Sequence, residues 1–306
     1  MKNLLFSQIL VSTVILGSVL SPFSVNTLAQ NTTVGGPSAS IAGTAGDDNL
    51  VVPNTVPHTI YGYDGNDKIT GGVANDKIYG GKGNDTIFGR DGDDTVFGDL
   101  DGDLIMGNRG NDILLGGEGN DSIFGGQGLD RIYGGKGNDK IYSDLDGAWV
   151  WGDDGTDEIY IIPSNNRGNT QFKYSYVDTG KGADRIFIES RGVKNGDQIY
   201  IYNPHEEADD IFLESGYTVV RNVEYNQPGR KWRILLLNAN GARVQVAILG
   251  NSQVSNDKFS STQIQYVPAA QNENVMVQQA MQGETIPQAS AQVMAITLPE
   301  LQVLNT

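Results

Sequence analysis

Cysteine is absent from the 306 residues of this chain. Disulfides, thiolate metal sites and a lipid-anchoring cysteine are therefore excluded, and the fold must be held by something other than a covalent staple. Histidine is nearly absent too, with only His58 and His205 present, far apart and in no HExxH arrangement, which removes zinc proteases of that kind. The sequence has no GxSxG elbow, so the usual lipase nucleophile is missing. It also lacks a large amphipathic or apolar region from which a pore could be built. Basic residues are few, 21 Lys and Arg against 37 Asp and Glu, for a formal charge of −16. So acidic a chain repels phosphate, and nucleic acid is not an expected partner.

The one strongly apolar stretch is at the start. Lys2 precedes a run from Leu4 to Leu20 that is interrupted by Ser7, Gln8, Ser12 and Thr13, and Thr27-Leu28-Ala29 offers small residues for cleavage. Residues 1–29 read as a Sec-type secretory signal cleaved near Ala29, being short and speckled with polar residues for a spanning helix. The expected location is extracellular or at the cell surface, with the periplasm a further option, and no membrane span is expected after cleavage. Residues 30–42, rich in Ser, Thr, Gly and Asn, read as a flexible lead-in.

What the chain has in abundance is glycine, forty residues of it, and the glycines are periodic. Residues 62–160 repeat every nine residues, eleven times without insertion, and the clearest copy is GGKGNDTIF at 80–88. A degenerate copy, GTAGDDNLV, precedes them at 43–51, as expected of a terminal unit that caps rather than stacks. The sixth position holds Asp67, Asp76, Asp85, Asp94, Asp103, Asp112, Asp121, Asp130 and Asp139, then Ala148, then Asp157. The eighth is always aliphatic, from Ile69 to Ile159, and the ninth is mostly aromatic or large, as in Phe88, Phe97, Met106, Leu115, Phe124, Tyr133, Tyr142, Trp151 and Tyr160. An aliphatic residue between glycine-rich hexapeptides fits a strand of about three residues followed by a tight turn. The eighth residue then points inward and the seventh and ninth outward. A helix is excluded, because each glycine would cost about 1 kcal/mol there.

Charge concentrates in the same region, with 23 Asp and Glu against 8 Lys and Arg in residues 43–160. Two carboxylates about 5 Å apart on neighbouring coils repel by roughly 3 kcal/mol at an effective dielectric near 20. A stack of such coils needs protons or cations.

The units match the pattern GGxGxDxUx, U being a large aliphatic, and in this the chain resembles the RTX (hemolysin-type) calcium-binding repeat family over about 99 continuous residues. The resemblance implies an all-β fold, a calcium-stabilised parallel β-roll in which alternate strands form two facing sheets and one coil takes two units, followed by a β-rich C-terminal capping module. It implies several Ca2+ ions bound between stacked turns by Asp48, Asp67, Asp76, Asp85, Asp94, Asp103, Asp112, Asp121, Asp130, Asp139, Asp157 and Asp184. Sixth-position aspartates eighteen residues apart would pair along each edge. Calcium suits such a site because it takes six to eight oxygen ligands, which carboxylates and turn carbonyls can supply together. The departures from the pattern locate weak points. Ala148 removes the partner of Asp130, Ala74 and Asp101 replace the fourth-position glycine, and Asp99, Asp101, Asp144 and Asp146 read as turn acids.

Beyond residue 160 the repeat lapses and returns once, as TGKGADRIF at 179–187. Residues 161–267 read as a β-rich module covering the end of the coil, with strand-like segments at 198–202, 217–223, 231–238, 243–249 and 263–267 and a hairpin signal at Asn240-Gly241. His205-Glu206-Glu207 and Asp209-Asp210 read as a solvated acidic loop, and residues 268–306 as a disordered tail whose last residues, 298–306, carry no clear export motif. The resulting expectation is a secreted calcium-binding structural or surface-interaction protein without enzymatic activity. Two alternatives stand beside it: a calcium-dependent enzyme with its site in 191–267, or an adhesin whose aromatic ladders bind cell-surface glycans or another protein. An ice-binding coil is excluded, since the third position carries no regular Thr array.

Overall fold

A nonapeptide with one inward aliphatic residue cannot bury that residue alone; it does so by stacking on copies of itself. A computed structural model of the chain shows this stacking. It describes residues 32–33, 40–52, 55–143, 148–163, 174–190, 192–203, 209–227, 230–250 and 253–259. The signal and most of the lead-in, Asp144, Asp146, the His205 to Glu207 cluster, the strand expected at 263–267 and the C-terminal tail lie outside these residues.

The described residues are all β, in two parallel sheets built from alternating strands, one of eleven and one of twelve. Register is strict. Leu114 pairs with Val96 on one side and Ile132 on the other, each eighteen residues away. Between the sheets lies a file of fully buried aliphatics that includes Ile69, Ile78, Ile87, Ile105, Leu114, Ile123, Ile132, Ile141 and Ile159.

The strands are longer than expected. Most of those in the repeats span six residues, as in Thr86–Asp91, Thr95–Leu100 and Leu104–Arg109. Each runs past its ninth position into the next unit, because the residue at the second position takes a positive φ and resumes the ladder, as where Gly117 pairs with Gly135. Glycine supplies that φ at Gly117 and Gly135, whereas Arg90, Asp99 and Asn108 hold it at 84°, 88° and 74° in the same place. Asp101 likewise accepts a φ of 78° in place of the fourth-position glycine. Ala74 does not, and there the preceding strand, Lys68–Thr70, stops after three residues.

The ninth-position side chains stack from coil to coil. Tyr61, Tyr79 and Phe97 form one file with ring centroids 4.9 and 5.2 Å apart, and Phe124, Tyr142, Tyr160, Phe187 and Phe212 form another at 4.4 to 5.0 Å. Offset or parallel ring contacts of this kind stabilise adjacent strands. Tyr79, Phe88, Phe97 and Met106 are buried, so in that half of the roll little of the ladder faces solvent.

Both sheets continue past the last regular repeat. Glu158–Ile161 pairs with Arg185–Ile188, which pairs with Asp210–Glu214, and the other sheet runs through Ser175–Asp178, Asp197–Asn203 and Ala242–Gly250. The coils of this region differ in length but keep the apolar file, with Val177, Ile186, Ile199 and Ile211 fully buried. The twelve-stranded sheet then ends in an antiparallel meander, Ala242–Gly250 to Arg230–Ala239 to Thr218–Gln227. Its Asn240-Gly241 turn has both φ positive, at 52° and 80°, as a two-residue hairpin loop requires.

Candidate metal centre

The turn at each coil edge brings a sixth-position aspartate into the interior. All twelve aspartates named above as ligands are buried. They fall into two rows, one per edge, as the eighteen-residue spacing requires. Within a row each Oδ1 accepts the backbone N–H of the residue one coil earlier. On the first edge Asp48 N donates to Asp67 at 2.8 Å, Asp67 to Asp85 at 2.5 Å, Asp85 to Asp103 at 3.0 Å, Asp103 to Asp121 at 2.7 Å, and both Asp121 to Asp139 and Asp139 to Asp157 at 2.8 Å. The row continues across the longer coils, from Asp157 N to Asp184 at 2.8 Å and from Asp184 N to Asp209 at 3.2 Å.

The second edge is shorter. Asp76 N donates to Asp94 at 2.7 Å, Asp94 to Asp112 at 2.8 Å and Asp112 to Asp130 at 2.9 Å. The strand beginning with Asp130 pairs next with the one beginning with Ala148, which has no carboxylate to offer.

The other carboxylate oxygen is the chemically informative one. Oδ2 of Asp67, Asp85, Asp94, Asp103, Asp112, Asp121, Asp139 and Asp157 is buried without a hydrogen-bond partner. A buried ionised oxygen in that condition costs several kcal/mol unless a proton or a cation meets it. Burial accordingly pushes these carboxyls up, to about 7 at Asp67 and Asp121, about 8 at Asp85, Asp94 and Asp157, and about 10 at Asp103, where the neighbouring Asp121 adds to the effect.

Beside most of these Oδ2 atoms is the first-position glycine of the same unit. A methyl group built on Gly62 would lie 2.5 Å from Asp67 Oδ2 and 2.7 Å from the Gly80 carbonyl oxygen; on Gly134 it would lie 2.5 Å from Asp139 Oδ2 and 2.6 Å from the Gly152 carbonyl. The space that only glycine leaves open is thus lined by a carboxylate oxygen and by a carbonyl oxygen from the next coil. Among the described residues no three carboxylate or imidazole side chains converge on one point, so main-chain carbonyls must complete any coordination shell. An all-oxygen set of this kind fits a hard divalent cation, and calcium, with its loose six- to eight-fold shell, better than magnesium.

Two of the expected ligands are already engaged. Asp48 Oδ2 accepts from Thr44 N at 2.5 Å and from Thr44 Oγ1 at 2.9 Å. Asp76 accepts from His58 N at 2.7 Å through Oδ1 and from Gly72 N at 2.7 Å through Oδ2, the second bond following from the altered turn at Ala74. These aspartates act as the row ends, and the two amide donors partly offset the upward push of burial on Asp76.

Two residues of the rows were not legible as such. Asp209, expected in a solvated loop, is fully buried as the last member of the first row, while Asp210 beside it is exposed. Its signal is the half-motif Asp209-Asp210-Ile211-Phe212, which keeps the aspartate and aliphatic spacing after the glycines are gone. His58 begins the second row, buried, eighteen residues before Asp76 and two before the inward Ile60.

Residues 59–78, 70–105 and 106–141 match the model of the RTX calcium-binding nonapeptide repeat, in four copies. The chain carries RTX repeats. No curated protein matches it. RTX repeats bind calcium, and the oxygen-lined steps of this roll are the donor set that such binding needs. The matched span ends at residue 141, whereas the carboxylate row runs on through Asp157, Asp184 and Asp209.

Proposed function

We propose that this RTX roll is a secreted structural or surface-interaction protein, without enzymatic activity, that folds when it meets extracellular calcium. The observation that carries the reading is the file of buried Oδ2 atoms lacking a hydrogen-bond partner. Asp85, Asp103, Asp121, Asp139 and Asp157 would hold cations along one edge, and Asp94 and Asp112, with Asp130, along the other. Bound calcium would supply the positive charge that lets neighbouring carboxylates ionise together. The chain's own part is to order those carboxylates: the inward aliphatics fix the register, Oδ1 is held by the preceding amide, and Oδ2 is left for the ion.

Extracellular modules bind calcium with dissociation constants of about 10⁻⁴ to 10⁻³ M, so folding would follow the difference between the inside and the outside of the cell. A calcium titration of the chelated chain, followed by far-ultraviolet circular dichroism, tests this. Strand signal should rise cooperatively with calcium and not with magnesium; strand content indifferent to both ions would end the proposal.

A further inference from the structure

Next to the buried aspartates, at the fifth position of the unit, runs a second ladder, and it lies in solvent. Asp47, Asn66, Asn84, Asn120 and Asn138 are exposed on the first edge, and Asn75, Asp93 and Asn111 on the second. Their side-chain oxygens accept the main-chain N–H of the fifth-position residue one coil later. On the first edge Asn66 N donates to Asp47 Oδ1 at 2.8 Å, Asn84 to Asn66 at 2.8 Å, Gly102 to Asn84 at 3.1 Å, Asn138 to Asn120 at 2.7 Å and Thr156 to Asn138 at 2.9 Å. On the second, Asp93 N donates to Asn75 at 3.0 Å, Asn111 to Asp93 at 2.7 Å and Leu129 to Asn111 at 3.0 Å. An ionised Asp at 47 or 93 can only accept, so a rung needs the oxygen of Asn and not its amino group.

This ladder runs against the buried one. A fifth-position amide is held by the coil before it, while the sixth-position amide beside it holds the carboxylate of the coil after. The two amides belong to adjacent residues, so each exposed oxygen is coupled to a buried ligand two coils on. Asn66 holds Asn84 N, and Asp85 N donates to Asp103 Oδ1 at 3.0 Å. Asn120 holds Asn138 N, and Asp139 N donates to Asp157 Oδ1 at 2.8 Å. One rung is missing: Gly102 has no side chain to offer Asn120, so the amide pair Asn120-Asp121, which sets Asp139, lacks the tie that its counterparts have.

Granted that calcium fills the slots beside Oδ2, we propose that the fifth-position Asn and Asp are positioning residues for the ion. They fix each turn so that the carboxylate two coils downstream is aimed before the cation arrives. Groups that orient a metal's ligands raise its affinity without touching it.

The test uses the full chain with terbium, a lanthanide that shares calcium's preference for oxygen and whose bound waters are counted from luminescence decay in H2O and D2O. Replacing Asn66, Asn84, Asn120 and Asn138 together by Ala should weaken terbium binding by about tenfold or more and add water to the bound ions, since a badly aimed carboxylate cedes its place. A loss of fold stability alone would weaken binding and leave the hydration of the bound ions unchanged, and that result overturns the proposal. Gly102 supplies the converse. Gly102→Asn should bind about threefold more tightly than Gly102→Ala, the worth of one restored hydrogen bond. Both put a Cβ 3.0 Å from the Asn120 carbonyl oxygen, so their difference isolates the side-chain amide. Equal affinities for these two overturn the proposal even where the fourfold variant fails to fold. A wild-type chain that takes up no terbium overturns the calcium reading as well.

Discussion

The two edges of the roll are made from the same nonapeptide, yet they end differently. The first carries a row of nine aspartates from Asp48 to Asp209, which bridges coils of 27 and 25 residues where the repeat has otherwise dissolved. The second runs only from Asp76 to Asp130, with His58 before it and Ala148 after it. At Ala148 the carboxylates stop but the strands do not: Asp130 still pairs with Ala148 in register, and Val150 remains fully buried at the eighth position. Stacking and the carboxylate rows are therefore separable in this fold. The aliphatic file propagates the coil, and on the proposed reading the aspartates set where cations would sit within it.

Removing calcium should affect the longer row most and give the largest change. At calcium ten times the dissociation constant each step contributes about 1.4 kcal/mol, which over several coupled steps reaches on the order of 10 kcal/mol, the scale of a whole domain's stability. Hydrogen exchange in excess chelator should then show protection lost throughout residues 62–160. If the amides of the first edge stayed protected, the row would not depend on the ion.

Next in size is a contrast between the edges. Asp121 stands between Asp103 and Asp139, so Asp121→Asn touches two steps, whereas Asp130→Asn touches one. With calcium in excess the first should cost about 3 kcal/mol and the second about 1.5 kcal/mol, read as melting temperature. Equal losses would show that the rows are not additive along their length.

The reverse substitution extends the shorter row. Ala148→Asp restores a partner for Asp130 and should add one calcium per chain by isothermal titration, with a gain of about 1.4 kcal/mol in calcium and a loss in chelator. Unchanged stoichiometry would mean that the altered unit at 143–151 fails for reasons other than the missing carboxylate.

The pH dependence should change sign with the ion. Burial raises the folded-state carboxyls to about 7 at Asp67 and about 8 at Asp85, Asp94 and Asp157, above their ordinary value of 3.8. Without calcium the folded roll therefore binds more protons than the unfolded chain, and its stability, fully present below about pH 4, falls as pH rises toward about 8. With calcium the ion competes with those protons, so stability rises with pH over the same window. Chemical denaturation at both ends of the window, with and without chelator, reads the two slopes. The smallest effect is expected outside the rows: at the exposed pair Lys136 and Glu118, Lys136→Ala should leave the melting temperature close to that of the unaltered chain.

Much of this was legible because the repeat encodes its own geometry. A period of nine with Asp at the sixth place and an aliphatic at the eighth marks the strands, the buried file and the candidate ligands; the two sheets and the eighteen-residue partners came from the resemblance to RTX repeats, and the gap at Ala148 follows from one letter. What escaped was governed by tertiary context. The six-residue strands depend on a positive φ that Arg90 and Asn108 adopt without glycine's freedom. His58 is hidden by the prolines that break the period before it, and Asp209 by a coil length that is no multiple of nine. The burial of Tyr79 and Phe97 arises from stacking between coils, which an outward-facing position in a single unit does not convey.

The hydrogen bonds of the rows all run one way. An aspartate's amide is satisfied by the carboxylate of the coil that follows it in the chain, never by the one before. Each coil is therefore completed by its successor, and the burden of closure passes toward the C-terminus. Cutting coils from the N-terminal end exposes a carboxylate, which water or an ion can serve. Cutting them from the C-terminal end leaves an amide donor without its carboxylate, which water can serve but a cation cannot. The meander after Asp209 thus stands at the end of the molecule where a bound cation could not stand in for a missing coil, whereas at the N-terminal end it could.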